Sequence, residues 1–380
     1  MKIGLVSPYN MFRPGGVQVC IEALADELRK RNHSVKIIAP QSKQAYSDNP
    51  NLLLVGQSTS LSVFSTTADV GISLDNNSID AMFECENFDV LHFHEPWIPI
   101  LAMQLLGRSD CANVATFHAK LPDSPLSKSI EKITTPYTKS VFKNLHAISA
   151  VSEPAADFVG SLTNNEIKII PNGIDLKFYS FSKAKKMSEY DDGLKNILFV
   201  GRLEKRKGAQ YLLRAFRVLQ EEHPNTRLLI AGDGTKRKSL EQYVKKHGLK
   251  NVEFLGFVSE KEKRDLLKTA DLFVSPALYG ESFGIVLLEA MAMGTPLIAG
   301  NNPGYSSVMK DRGRISLVDP TNKLSLTHKM ELMLEDNDMR QLWKKWAKQY
   351  VSQFDYPKIV DQYESLYKQA ISTLKQERKR

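Results

Sequence analysis

Short apolar runs that close on glycine or a Ser-Pro break recur along this chain, with helical patterns between them. Lys2-Ile3-Gly4-Leu5-Val6-Ser7 reads as a buried strand, and Pro14-Gly15-Gly16 breaks the chain after it. From Val17 to Arg31 the apolar residues Val17, Ile21, Leu24, Ala25 and Leu28 share one helical face. Val35 to Ala39 is the next strand, and the pattern continues through Asp89–Phe93, Asn113–Phe117 and Ala147–Val151. Strand, glycine loop, helix and strand in that order build an open parallel sheet. A charged stretch from Lys183 to Lys195 reads as a linker, after which a second series begins. Asn196–Val200 opens onto Gly201, Leu228–Ala231 onto Gly232, Val252–Leu255 onto Gly256, Leu272–Val274 onto Ser275-Pro276, and Pro296–Ala299 onto Gly300. The expected fold class is therefore α/β, with two doubly wound units in tandem and amphipathic helices at the C-terminal end. Ligands of such sheets bind at the carboxyl ends of the strands, so the expected site is a cleft between the two. Residues 41–86 show no pattern that assigns them.

Length agrees with this division: 380 residues exceed one ordinary domain. Hydrophobic residues at 42% and charged residues at 25% exclude a disordered chain, a coiled coil and a collagen-like repeat. The net charge of +8 is unevenly placed. Residues 1–175 carry 14 basic against 18 acidic side chains, and residues 176–380 carry 37 against 25. The basic half can face an anion, a nucleic acid or a membrane, or be solvated surface. The N-terminus shows no secretory h-region, and no run approaches the roughly 18 apolar residues of a spanning helix. Cys20, Cys85 and Cys111 form no CxxC pair, as expected of a cytoplasmic protein.

Three constellations carry chemistry. In Gly201-Arg202-Leu203-Glu204-Lys205-Arg206-Lys207-Gly208, four cations crowd a strand end between glycines, an arrangement suited to gripping phosphate oxygens. Glu281 and Glu289 lie eight apart, the first on a Gly-Glu loop and the second within a helix. Between them Gly284 opens a helix start. Glu289 stands among Ile285 to Met291, where a charge needs partners such as ribose hydroxyls; a helix-surface acid is the alternative. His118 closes the strand ending at Phe117 and is a candidate polar contact. His92, His94 and Glu95 have metal-like spacing, but no third His or Cys stands near them in sequence, and no metal is expected. Asp336-Asn337-Asp338 is expected to be a helix cap. Gly15-Gly16 lacks the G-x-G-x-x-G spacing, and no P-loop motif occurs.

These motifs together resemble the retaining GT-B glycosyltransferases of glycosyltransferase family 4 over nearly the whole chain. The matching segments are Pro14-Gly15-Gly16-Val17-Gln18, His92-Phe93-His94-Glu95-Pro96, Thr116-Phe117-His118, Pro171-Asn172-Gly173-Ile174-Asp175, Gly201-Arg202 with Lys207-Gly208, and Glu281 to Glu289. Within the family the chain is most like the phosphatidyl-myo-inositol mannosyltransferases. The resemblance implies two Rossmann-like domains, an acceptor domain over 1–178 with helix 358–380 crossing back to it, and a donor domain over 179–357. It implies transfer of mannose from GDP-mannose to a lipid-linked or phosphatidylinositol-type acceptor, with no metal and no cofactor. Arg202 and Lys207 would neutralise the diphosphate, which Gly16 would let approach. Glu281 would hold the sugar, Phe283, Gly284 and Ile285 would give backbone contacts, and Glu289 would bind the ribose. Val258 and Lys263 fall at the base, His118 at the sugar and reacting phosphate, and Tyr9 and Gln18 at the acceptor.

Ile72 to Asp89, where the resembling enzymes carry a basic lipid-docking helix, has no Lys or Arg. Trp97 and Ala119 also depart from them near the acceptor. Peripheral contact with an anionic membrane at the inner face of the plasma membrane is then expected of another surface. Lys128, Lys132, Lys139 and Lys143 share one helical face, although a core-packed helix is equally consistent. A UDP-sugar donor with a different lipid or polysaccharide precursor, and a non-catalytic anion- or nucleic-acid-binding module, are the alternatives. No aromatic platform accompanies the basic residues, so nucleic acid is not an expected partner.

Overall fold

The computed structural model describes residues 1–12, 15–41, 48–63, 66–72, 76–98, 101–118 and 137–379. The chain divides into two compact units, Met1–Gly173 with Tyr356–Arg380, and Ile174–Asp355.

The first unit is built on β1 (Lys2–Val6), β2 (Ser34–Pro40), β3 (Leu52–Val55), β6 (Val90–His94), β7 (Ala112–Phe117), β8 (Ala147–Ala150) and β9 (Ile167–Ile169). They form one parallel sheet in the order β3-β2-β1-β6-β7-β8-β9. Their residues are mostly apolar, with Val, Ile, Leu and Ala prominent, as suits strands covered on both faces. The stretch that showed no pattern supplies β3, an antiparallel hairpin of β4 (Gln57–Val63) and β5 (Thr66–Ile72), and the helix Asn76–Cys85. Ser and Thr run consecutively at Ser58-Thr59-Ser60 and Thr66-Thr67, which hides an apolar period. Helix Gly16–Lys30 lays Cys20, Ile21, Leu24, Ala25 and Leu28 on the sheet, with Val17 half-buried at the rim. Beside it packs helix Tyr356–Glu377, through Ile359, Val360, Tyr363, Leu366, Tyr367 and Ala370. The last segment of the chain thus completes the core of the first unit.

The second unit carries β10 (Lys195–Val200), β11 (Thr226–Ala231), β12 (Val252–Gly256), β13 (Leu272–Ser275), β14 (Leu297–Gly300) and β15 (Leu317–Val318). They pair in parallel in the order β12-β11-β10-β13-β14-β15. In both sheets the order reverses beside the first strand, between β1 and β6 and between β10 and β13. Those switch points are where such sheets leave a crevice. One is flanked by Ser7–Tyr9 and Glu95, the other by the loops at 201–208 and 276–281.

The unit boundary lies at Gly173/Ile174 and Asp355/Tyr356, whereas the family resemblance placed it at 178/179 and the crossing helix at 358. Local bonding explains the shift. Ile174 N–H donates to the Phe354 carbonyl at 2.8 Å, and Asp175 Oδ1 accepts from the N–H groups of Lys177 and Phe178. Tyr179 reaches Glu260. On the other side, a Cβ on Gly173 would stand 2.6 Å from the Tyr356 ring, so glycine there lets the crossing helix seat at its first residue. Among the described residues no helix is long and apolar enough to cross a membrane.

Candidate functional site

The loop after β10 is fixed by backbone bonds before its cations act. Gly201 N–H donates to Ala231 O and Leu203 N–H to Asp233 O. Lys205–Lys207 form a single 3-10 turn, closed by Gly208 at φ +79°. A Cβ on Gly208 would lie 1.9 Å from the Pro276 carbonyl oxygen, so only glycine lets this loop approach the one after β13. Leu278 N–H then donates to Arg206 O and joins the two loops.

Their side chains form one alternating charge cluster. Arg202 Nη1 lies 3.1 Å from Glu204 Oε1, and Arg206 Nε lies 2.9 Å from Glu204 Oε2. Arg206 Nη1 and Lys207 Nζ both reach Glu281 Oε1, at 2.8 and 2.7 Å. The structure therefore brings Arg202, Lys207 and Glu281 together. Burial pulls the Lys207 ammonium below its ordinary value, and the Glu281 carboxylate opposes that shift. Arg202 is half exposed, so its guanidinium is more accessible than that of Arg206 or the Lys207 ammonium. Arg206 and Glu204 were not singled out from sequence. Both lie in the motif, but their bridging role depends on the tertiary approach of Glu281.

Glu281 leads into Phe283, which is buried against Phe354, and Gly284 at φ +106°. A Cβ on Gly284 would meet the Tyr305 ring at 2.6 Å. Helix Ile285–Ala292 starts there and carries Glu289 inward, with only 6% of its surface exposed. The surface-acid alternative for Glu289 is thereby excluded. Its Oε1 accepts from Lys263 Nζ at 2.7 Å, while its buried Oε2 makes no hydrogen bond among the described residues. Burial raises the Glu289 carboxyl above the ordinary range, against the pull of Lys263. Lys263 is delivered by helix Glu260–Thr269, whose N-terminus is a capping box of Ser259 and Glu262. Burial works against the Lys263 charge, but Glu289 and Glu260 outweigh it and raise the ammonium. Lys263, expected at the base, thus holds Glu289. Val258 is half-buried just ahead of that helix, beside the exposed Phe257.

In the first unit His118 is buried and doubly held. Its backbone N–H donates to Glu95 Oε1, and its Nε2 lies 2.8 Å from His94 Nδ1. His92 stacks next to His94 at 4.3 Å between ring centroids and bonds Tyr367 Oη at 2.8 Å and Thr116 Oγ1 at 2.6 Å. The third histidine absent from the local sequence is supplied across the sheet by β7, which corrects the sequence argument from isolation. Among the described residues these three do not converge as metal ligands. Burial pushes His92 down to about 3 and His118 to about 4, with His94 also well below its ordinary value. Glu95, fully buried at φ +52°, also accepts from Trp97 Nε1. Burial raises the Tyr9 phenol, and the Glu95 charge adds to it. Tyr9 is largely buried, and Gln18 Nε2 donates to Asn10 O at 3.2 Å, tying the helix start to the β1 loop. Neither Gly15 nor Gly16 has positive φ; Gly16 is exposed, with open space where a Cβ would stand.

Among the remaining expectations, Asp336 caps helix Asn337–Val351 by accepting from Met339 N–H at 2.8 Å. Lys128, Lys132 and Ala119 lie outside the described residues. Lys139 and Lys143 are exposed and Val141 is buried in the core.

Comparison with known proteins agrees with this geometry. Residues 14–178 match the family described as Glycosyltransferase Family 4, and residues 180–350 match Glycosyl transferases group 1. The phosphatidyl-myo-inositol mannosyltransferase of Mycolicibacterium smegmatis is 31% identical over 97% of this chain and 93% of its own. That of Mycobacterium leprae is 30% identical over 97% and 96%. Among solved structures, sucrose-phosphate synthase from Thermosynechococcus elongatus superposes with a TM-score of 0.76 at 18% identity, over 98% of this chain and 99% of that one. Anabaena HepE in complex with UDP-glucose gives 0.73 at 19% identity, over 96% and 98%, a likeness of fold. The chain belongs to the GT-B glycosyltransferases of family 4.

Proposed function

We propose that this glycosyltransferase moves mannose, with retention, from GDP-mannose onto a lipid-linked, phosphatidylinositol-type acceptor. The observation that carries the reading is the charge cluster of Arg202, Lys207 and Glu281 at one strand switch point, with the unpaired Glu289 oxygen in the same unit. The names of the mannosyltransferase relatives support the choice of donor and acceptor. As the glycosidic bond breaks, negative charge grows on the β-phosphate and positive charge on the sugar. Fixed cations at the phosphate then stabilise the transition state more than the ground state. Arg202 and Lys207 take the leaving diphosphate, and Glu281 takes sugar hydroxyls. Glu289 Oε2 accepts from the ribose, with Val258 against the base. In the other unit Gly16 leaves room for the diphosphate, and Tyr9, Gln18 and His118 face the acceptor and sugar. The acceptor attacks on the leaving-group side and the phosphate receives its proton. With these cations in place the reaction needs no divalent metal.

The test is to supply labelled GDP-mannose or UDP-glucose with phosphatidylinositol vesicles, with lipid-free controls and with EDTA in parallel. Mannose should enter the lipid fraction from GDP-mannose and should do so in EDTA. Turnover of UDP-glucose with GDP-mannose untouched would overturn the donor. Consumption of GDP-mannose without label in lipid would overturn the acceptor.

A further inference from the structure

At the N-terminal strand ends of the second sheet, opposite its phosphate loops, two neighbouring helices bring together a second set of chemistry-bearing side chains. Helix Ala209–Glu222 stops at His223, whose N–H caps onto Leu219 O. Helix Lys323–Glu335 packs along it and presents His328, Glu331 and Glu335 at the i, i+3, i+7 spacing of one face. One ligand atom from each of Glu222, His223 and Glu331 lies within 4.8 Å of the others. His223 Nε2 is 3.3 Å from Glu331 Oε1, and His223 Nδ1 is 3.4 Å from Glu335 Oε1. His328 Nδ1 lies 3.7 Å from Glu331 Oε2.

Both ring nitrogens of His223 therefore face carboxylate oxygens, yet a neutral imidazole carries one N–H. If that N–H serves Glu335, the Nε2 lone pair confronts a Glu331 lone pair, and a proton or a metal ion must stand between them. Three carboxylates and the negative end of a helix surround the point, against the Lys195 ammonium, 2.7 Å from Glu335, and the Arg340 guanidinium, which also acts on Glu335. Tetrahedral zinc ligands at ~2.0–2.1 Å from the metal are roughly 3.3 Å apart. The His223–Glu331 separation is one such edge, already formed. A carboxylate behind the distal nitrogen is also the partner that orients a metal-bound histidine. We propose that Glu222, His223 and Glu331 bind a Zn²⁺ ion, with Glu335 orienting the imidazole and His328 or water completing the tetrahedron. Mg²⁺ and Ca²⁺, which prefer all-oxygen shells, are the wrong ions for this donor set.

The experiment titrates zinc sulfate into the chelator-treated full-length chain carrying Cys85→Ser, which removes the exposed thiol. One equivalent should bind, and zinc but not magnesium should raise the melting temperature. Glu335→Gln should weaken binding by about 10–100-fold. Co²⁺ should give the visible absorption of a tetrahedral site in the parent chain, and His223→Ala with Glu331→Gln should abolish both the band and the zinc equivalent. Zinc binding unchanged in that double variant, or none below millimolar zinc in the parent, would overturn the site. These side chains lie outside the donor site, so their failure leaves the transferase reading standing.

Discussion

Glu281 accepts Arg206 and Lys207 on one carboxylate oxygen, and Arg206 also bridges to Glu204, which holds Arg202. The chain thus sets negative charges among the cations that we propose hold the diphosphate, and aligns them. Glu281→Gln removes the charge that holds Lys207 while keeping the side chain's size. Sugar transfer should fall on the order of 10²–10³-fold, as when a preorganised charge-stabilising group is lost. Nucleotide affinity, measured by calorimetry, should hold or rise, since a carboxylate no longer competes for the cations. Gly208→Ala acts through the backbone. Positive φ and a carbonyl 1.9 Å from the new Cβ should destabilise the second unit by ~1–3 kcal/mol, read from denaturant melts. Arg202, Lys207 and Glu281 were legible because charges clustered at strand ends stand out in sequence, and Glu289 because a carboxylate inside an apolar helix does. Arg206 and Glu204 were not, because their roles exist only where two loops from distant parts of the chain meet, and Glu95 was read for its spacing to His92 and His94 rather than for its hold on His118.

Adjacent strands β6 and β7 bring His92, His94 and His118 into one buried stack. All three are held below the ordinary histidine value by burial, His92 to about 3 and His118 to about 4. The unfolded chain takes up protons below pH 6.5 that the folded chain refuses. The stabilisation is therefore complete above that pH and declines as pH falls towards the folded values. Each such histidine contributes a slope of up to about 1.4 kcal/mol per pH unit. Thermal melts between pH 7.5 and 4.5 should show the first unit losing stability across this window, and His94→Asn should flatten the loss. An unchanged slope in the variant would remove His94 from the account. Strand and helix positions were otherwise readable from apolar period and glycine placement. The β4–β5 hairpin escaped because its pairing is backbone to backbone along a Ser/Thr-rich stretch, with little in the side chains to announce it.

The two glycine-punctuated series foretold two sheets, whereas the return of the last helix came from family resemblance and the exact boundary from local bonds. Ile359, Val360, Tyr363, Leu366 and Tyr367 are buried in the first unit. At about 1.5–3 kcal/mol each, their removal costs as much as a typical domain holds in reserve, about 5–15 kcal/mol. A chain stopped at Asp355 should lose the cooperative unfolding of the first unit in calorimetry and bind an apolar dye there, while the second unit keeps its own transition. Two intact transitions would show that the helix is dispensable. The same discontinuity orders events during translation. The first sheet leaves the ribosome early and stays unfinished until the residues around 377 have emerged, by which time the inserted second unit has been free to fold. Its half-covered core is then the surface that a chaperone would meet on this chain.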